Sequence, residues 1–431
     1  MSEYQRIGDM TYAYNADLGL SYASPVRGVW NIVHIGTLVP EAHEVFVCPT
    51  SCLRGVVLTT AEMGAMDRLS TITVGEDNIL EGDMEEALQR GTERIIAELP
   101  VRPRAMLIYT SCIHHFLAVN YQRVYRALRE KYPDIDFIDC YMNPIMRRTS
   151  PAIPSLWRQI HRLLKPCEKV PNRANYVGNC FRYGEHCDLT QMLEGAGIEV
   201  MDLNRCTSYD QFLSMAASPV NFTFHGAAVP AAKDMRVRLG QEWIPMRPGY
   251  DYDEIDADLR AAADFFAIDA PSGAETARQR ALTEQAVAEA RAAIGGTPVS
   301  IDYTAVDRPL ELALYLLAHG FTVESVFVDV FTESKEVFEA LRLRAPDLKI
   351  YQSLGWNIRR MKRGHEGPVL AVGQKSAYFN DTDHFVNIIE NDGMYGYHGI
   401  RRLMALMTEA HAAPKPMREL VQIKGWGCGC S

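Results

Sequence analysis

The sequence predicts an α/β protein built of three consecutive blocks, each around a parallel sheet. Short apolar runs rich in β-branched and aromatic residues alternate with amphipathic stretches of helical period. Proline and glycine stand at the joints between them. The bulk composition agrees: of 431 residues, 47% are hydrophobic and 23% charged, ample material for several cores. Strands that alternate with helices pair in parallel through right-handed crossovers.

The elements follow in order. In the first block the run Val45, Phe46, Val47 leads into Cys48. Met84 to Leu99 reads as a helix, with Asp83 and Glu86 as a capping box and Pro100 as its end. Arg104 to Thr110 reads as a buried strand. Tyr121, Val124, Tyr125, Leu128 and Tyr132 make one helical stripe, stopped by Pro133, and Ile135 to Cys140 is the next strand. In the second block Ala174–Asn179, Ile198–Leu203 and Val220–Phe224 read as strands. Asp188 caps a helix, with Gln191 three residues on, and Gly195 and Gly197 close it. The Ala-, Glu- and Arg-rich stretch from the 260s to Gly296 reads as one long solvated helix. The third block opens on the turn Gly295 to Pro298. There Val299–Tyr303, Thr322–Val328 and Pro368–Val372 are strands, and a helix runs from Pro309 to Gly320. The Ser-, Thr- and Pro-containing stretch Arg147–Pro154 precedes the first seam. The boundaries are therefore 1–168, 169–295 and 296–431, the last domain ending in a tail that carries Cys428 and Cys430. Such a Cys-x-Cys pair is able to ligate metal or exchange thiols, or is simply a frayed end.

Charge and patterning exclude several classes. The formal net charge is −10, a poor match to a phosphate backbone, although Arg359, Arg360, Lys362 and Arg363 form a local basic run. No apolar run approaches the roughly 18 residues that span a bilayer. The N-terminus has no charged-then-apolar leader, so the expectation is a cytoplasmic protein without membrane or nucleic-acid partners. Ten cysteines in such a chain read as ligands, catalysts or core residues rather than a disulfide framework. The chain has no phosphate-binding Gly-x-x-x-x-Gly-Lys-Ser/Thr loop, dinucleotide fingerprint, Gly-x-Ser-x-Gly elbow or His-Glu-x-x-His helix.

Two loops carry candidate chemistry. One is Cys48-Pro49-Thr50-Ser51-Cys52; the other is Tyr109-Thr110-Ser111-Cys112-Ile113-His114-His115. Both follow predicted strands, where α/β sheets collect ligands. Thiolate sulfur is soft and suits iron–sulfur clusters or zinc. A single cysteine is nonetheless more often a core residue than a ligand. The cluster Cys180 to Cys187, which includes His186, reads as a strand-to-helix turn, and Cys140, Cys167 and Cys206 read as structural. His225 follows a strand, His398 lies in Tyr395-Gly396-Tyr397-His398-Gly399, and His34 lies in an apolar stretch; each has a core reading beside the chemical one.

The order of these features resembles nitrogenase component 1 and its relatives: nitrogenase α and β chains, their assembly scaffolds, dark-operative protochlorophyllide reductase and methylthio-alkane reductase. The resemblance runs through Ser24-Pro25-Val26-Arg27-Gly28, Phe46 to Cys52, Asn78 to Asp83, Tyr109 to Cys112, Val220 to Gly226 and Asp392 to Ile400. It implies three Rossmann-like domains and an inter-subunit iron–sulfur cluster, four-iron or P-cluster-like. Cys52 and Cys112 match the family's second and third cluster cysteines. The first has no counterpart in Val26 to Trp30, and Cys48 stands as its substitute. At the second, active-site metallocluster the family's ligands fall at Gly226 and near Ile389, so neither is present. The resemblance therefore implies a small substrate other than dinitrogen, in a cavity lined by His225, His398 and His114. It implies as partners a homologous or identical chain, in a dimer or heterotetramer, and a separate ATP-dependent iron–sulfur reductase. The alternative is a non-catalytic β-like partner, or a scaffold that matures or carries a cluster.

Overall fold

The computed structural model describes residues 3–12, 26, 31–143 and 151–421. The Ser24-to-Gly28 motif apart from Val26, the start of the stretch at Arg147, and the Cys428/Cys430 tail lie outside the described residues. The chain divides into two compact units. One comprises Trp30–Arg182 and Gly197–Met246; the other comprises Met1–Val29, Tyr183–Ala196 and Arg247–Ser431.

The strands are β1 (Gln5–Arg6), β2 (Ala42–Cys48), β3 (Leu69–Thr73), β4 (Ala105–Ser111) and β5 (Asp136–Met142). There follow β6 (Arg173–Tyr176), β7 (Glu199–Asp202), β8 (Val220–Thr223) and β9 (Glu242–Pro245). Last come β10 (Val299–Asp302), β11 (Val323–Phe327), β12 (Lys349–Tyr351), β13 (Leu370–Val372) and β14 (Phe385–Val386). They form three sheets, ordered β3-β2-β4-β5, β7-β6-β8-β9 and β1-β12-β11-β10-β13-β14. Among the described strands every pairing is parallel except that of β1 with β12. Each sheet reverses its strand order once, between β2 and β4, between β6 and β8, and between β10 and β13. In open α/β sheets the crevice outside the carboxyl ends of such a strand pair is where ligands bind.

The first sheet shows why its strands read as continuous apolar runs. Ala42 and Phe46 pack on one face with Leu107, Tyr109, Ile138 and Cys140. Val45 and Val47 pack on the other with Met106, Ile108 and Phe137. Both faces are covered, so no polar alternation is needed. The Phe46 and Tyr109 rings stack across the β2/β4 pair at 4.3 Å.

Three local expectations are corrected. Helix Met84–Glu98 forms, but Asp83 does not cap it with its side chain. Its carboxylate instead accepts from Asn78 Nδ2 at 2.8 Å and pairs with Arg90 at 3.1 Å. Asp188 is the first residue of helix Asp188–Gly195 rather than its cap, which is Cys187. The long helix is two, Tyr252–Phe266 and Gly273–Ile294. The break falls where Ala267 turns left-handed, and Ser272 starts the second helix by accepting from Glu275 N at 3.2 Å. Of the cysteines read as structural, Cys140 is buried and Cys206 half-buried, but Cys167 is exposed.

Burial of two histidines gives the fold a pH dependence. His161 is 1% exposed and donates Nδ1–H to Trp157 O at 2.8 Å. His43 Nε2 meets Ser70 Oγ at 2.8 Å. Burial lowers both to about 4 from an ordinary value of 6.5. The unfolded chain therefore takes up these protons first as pH falls. Their contribution to stability is full above pH 6.5 and drains between 6.5 and about 4. Each histidine adds a slope of about 1.4 kcal/mol per pH unit inside that window. Urea midpoints measured from pH 7.5 to 4 check this: His161→Gln should flatten the slope by about one proton, and an unchanged slope would refute the assignment.

Candidate functional site

The cysteine loops meet at the switch point of the first sheet. Strands β2 and β4 end in register, Val47 opposite Thr110, so Cys48 and Ser111 close neighbouring strands. Beyond β2 the chain turns at Pro49 into helix Thr50–Glu62, whose first turn carries Cys52. Beyond β4 it enters the short helix Cys112–Phe116, of which Cys112 is the first residue. Cys52 is exposed, Cys112 half-buried and Cys48 buried. Burial, and then the neighbouring Cys52 sulfur, push the Cys48 thiol up to about 12. Cys48 is thus a core thiol that gives up its proton only to a strongly bound cation. Pro49 offers no side-chain cap, and Cys52 N donates to Pro49 O at 2.9 Å.

The three histidines stand on separate elements, His114 and His225 in one compact unit and His398 in the other. His114 is fully buried, with Nδ1 3.2 Å from Ser111 Oγ, and its Nε2 has no partner. Burial lowers its pKa to about 4, so it is neutral. His225 is half-buried and follows β8 at the switch point of the second sheet. His398 belongs to the other compact unit. There Asp188 Oδ1 accepts from His398 Nδ1 at 2.7 Å, and Asp188 Oδ2 accepts from His398 N at 2.9 Å. The pair fixes the tautomer, with the proton on Nδ1 and the lone pair on Nε2. Gly396, in the left-handed region at φ 75°, makes room for it: a Cβ there would meet Asp188 Oδ2. Sequence reasoning missed Asp188 in this role because its partner lies 210 residues away. His34, read as a candidate core histidine, is one: its Nδ1 accepts from Asn31 N at 3.2 Å in a capping box.

Comparison with known proteins shows the family. The family model of Nitrogenase component 1 type Oxidoreductase matches residues 34–412. The chain belongs to that family. Among solved structures it is similar to "Nitrogenase Cp1 at pH 6.5", with TM-score 0.65 and 13% identity over 94% of this chain and 95% of the other. It is also similar to "Nitrogenase Cp1 at pH 5", with TM-score 0.59 and 12% identity over 91% and 90% of the two chains. These likenesses concern the fold. A search of curated proteins returned no match.

A nitrogenase component 1-type chain raises the question of an iron–sulfur cluster, and the residues can be tested for fit. Among the described residues no three His, Cys, Asp or Glu side chains converge to hold a single metal ion. The donors present are soft thiols, two of them at least partly open to solvent, on loops from two adjacent strand ends. That set suits a polynuclear cluster reached from outside the chain better than an enclosed mononuclear site. Cys48, Cys52 and Cys112 are the residues that would hold it, and when bound it would supply one-electron transfer. The Cys180 to Cys187 turn does not assemble a metal set: Cys180 and Cys187 are both buried, and Cys187 pairs with Tyr395 in an isolated bridge.

Proposed function

We propose that this chain is an oxidoreductase subunit that accepts low-potential electrons through a cluster held by Cys48, Cys52 and Cys112 and passes them to a small substrate other than dinitrogen. The observation that carries the reading is the pairing of the two cysteine loops on adjacent strand ends, at the switch point of the first sheet. An ATP-dependent iron–sulfur reductase is the electron donor, consistent with the lack of a phosphate-binding loop here. A homologous or identical chain covers the cluster face. Exposed apolar side chains support that partner: Ile79 and Leu80 follow β3, and Phe116 and Leu117 follow β4, with Leu80 83% and Phe116 67% exposed. His398, oriented by Asp188, serves as a proton donor and acceptor, and His225 as a second polar group toward substrate. Three α/β domains, 1–168, 169–295 and 296–431, belong to this reading, and the order of one sheet per segment, β1 excepted, supports them. The cytoplasm is the compartment proposed, since free thiols persist there. No helix among the described residues is long and apolar enough to cross a membrane.

A second reading is a non-catalytic β-like partner or a cluster scaffold. Gly226 and Ile389 favour it, because both stand where the family's active-site ligands fall. Anaerobic mixing with an ATP-dependent iron–sulfur reductase and MgATP separates the two. The first reading expects ATP-dependent reduction of the cluster signal, followed by reoxidation when substrate is added. His398→Ala should lower turnover roughly 10²-fold or more, the scale of a lost general acid, while leaving cluster reduction intact. A cluster that is reduced but only ever transferred to an acceptor protein selects the scaffold.

A further inference from the structure

Four helices of one compact unit bring three tyrosines and a glutamate together. Tyr252 opens helix Tyr252–Phe266, Glu284 lies on helix Gly273–Ile294, Tyr315 on helix Pro309–Ala318 and Tyr397 on helix Gly396–Ala412. The Tyr252 ring centre is 6.3 Å from that of Tyr315 and 5.4 Å from that of Tyr397.

The hydroxyls run in series onto the carboxylate. Tyr252 Oη donates to Glu284 Oε1 at 2.8 Å. A phenol has one proton to give, so the 2.8 Å contact between Tyr252 Oη and Tyr315 Oη is donated by Tyr315. Tyr252 thus has a proton acceptor on one side of its oxygen and a hydrogen-bond donor on the other. Glu284 is exposed, and His319 Nε2 faces its second oxygen at 3.2 Å. Burial, and then the hydrogen bond with Tyr315, raises the Tyr252 pKa above its ordinary value of 10.0, so the phenol keeps its proton.

This is the arrangement that makes a phenol oxidisable. Loss of an electron turns a phenol into a strong acid, and the step is easy only where a base stands ready for the proton. The oxygen left behind is an acceptor alone, and a donor aimed at it stabilises the radical. Tyr397 lacks this arrangement. Its Oη donates to Asp256 Oδ1 at 2.7 Å, but Arg280 Nε donates to the same oxygen at 3.2 Å and Arg280 also pairs with Asp256. A fixed positive charge against the phenolic oxygen opposes oxidation there. The same guanidinium stands farther off, 5.8 Å, from the Tyr252 ring centre. An oxidising equivalent on Tyr397 therefore runs downhill to Tyr252.

We propose that Tyr252 is a redox-active tyrosine, a sink for oxidising equivalents that reach this unit. An oxygen-derived one-electron oxidant takes the electron, directly or through Tyr397. The phenolic proton moves to Glu284, and the phenoxyl oxygen keeps the hydrogen bond from Tyr315. A thiol that gives up one hydrogen atom restores the phenol, and Glu284 returns its proton to water. The inference goes beyond the function proposed above and makes no use of a cluster, so either stands if the other fails.

Photo-oxidation of the whole chain tests it. Tris(bipyridine)ruthenium under light, with a cobalt(III) ammine as final electron acceptor, removes single electrons, and the sample is frozen for high-field electron paramagnetic resonance. The expected result is a phenoxyl radical whose dominant component has the lowered gx of a hydrogen-bonded oxygen. That component should be lost in Tyr252→Phe and in Glu284→Gln. In Tyr315→Phe it should persist with gx moved up, a change that a purely structural tyrosine pair would not produce. Tyr315→Phe leaves Tyr252 and its carboxylate in place, so the test does not hang on one variant. A dominant component that survives Tyr252→Phe or Glu284→Gln, or a gx unmoved in Tyr315→Phe, would overturn the assignment.

Discussion

Arg68→Ala is expected to cost about 3–5 kcal/mol, the sum of three charge-assisted bonds at roughly 1.5 kcal/mol each. The Arg68 guanidinium ties up the turn between helix Ile32–Thr37 and β2. It donates to Thr37 O at 2.7 Å, Val39 O at 2.5 Å and Ala42 O at 3.1 Å. Alanine would leave these carbonyls to find other donors. Arg68 also acts on Glu44, a carboxyl on β2 that is 2% exposed and has no partner on either oxygen. Burial raises the Glu44 pKa well above the carboxylate range, and the Arg68 charge works against that rise. Without Arg68 the Glu44 carboxyl stays more firmly protonated, so the loss reads as stability rather than as a freed charge. Lysine should recover little, because one ammonium cannot reproduce a fork that reaches three carbonyls. Urea unfolding measures this, and a loss below about 1 kcal/mol would place Arg68 among ordinary surface residues.

Gly396→Ala is the second large effect. An L-residue held left-handed costs about 1–2 kcal/mol, and the added methyl would also strike the Asp188 carboxylate that holds His398. The expected loss is about 2–5 kcal/mol once roughly 1–3 kcal/mol of overpacking is included. A built-in control separates the two parts. Gly64 has φ 65° with nothing within 4 Å of its would-be Cβ. Gly64→Ala should therefore show the backbone cost alone, about 1–2 kcal/mol. The imidazole resonances of His398 should move in Gly396→Ala and not in Gly64→Ala. Equal losses at both glycines would show that Asp188 does not crowd Gly396.

Much of the fold was legible where apolar period and punctuation coincide. The strand at Arg104–Thr110, the Tyr121 stripe stopped by Pro133 and the helix opened by Pro309 all appear within a residue or two. Short strands escaped. Glu242–Pro245 pairs with β8 although it is four residues long, half-exposed and ends in proline, so neither length nor burial marks it. Caps were misjudged where another side chain claimed the carboxylate: Asn78 and Arg90 for Asp83, and the distant His398 for Asp188. The break at Ala267 was hidden because alanine elsewhere favours helix, and only Pro271 and Gly273 nearby hinted at it.

The site divides in the same way. The two cysteine loops could be read because strand ends bring them together, and strand ends are visible in the sequence. Asp188 beside His398, and Glu284 beside Tyr252, could not. Both depend on contacts between segments far apart in the chain. Gly393 and Gly396 signalled backbone freedom near His398, but nothing local showed that Glu390, Asn391 and Asp392 share it.

The most direct measurement is iron and acid-labile sulfide per chain, with electron paramagnetic resonance, on protein purified anaerobically from cells that also express its partner chain. Wild type, Cys52→Ser and Cys112→Ser are compared, with Cys167→Ser as the exposed-thiol control. The account predicts stoichiometric iron and sulfide in wild type and in the control, and loss of most of both, with the paramagnetic signal, in the other two variants. Well-folded wild type that carries no iron, or iron unchanged in Cys52→Ser and Cys112→Ser, would contradict it.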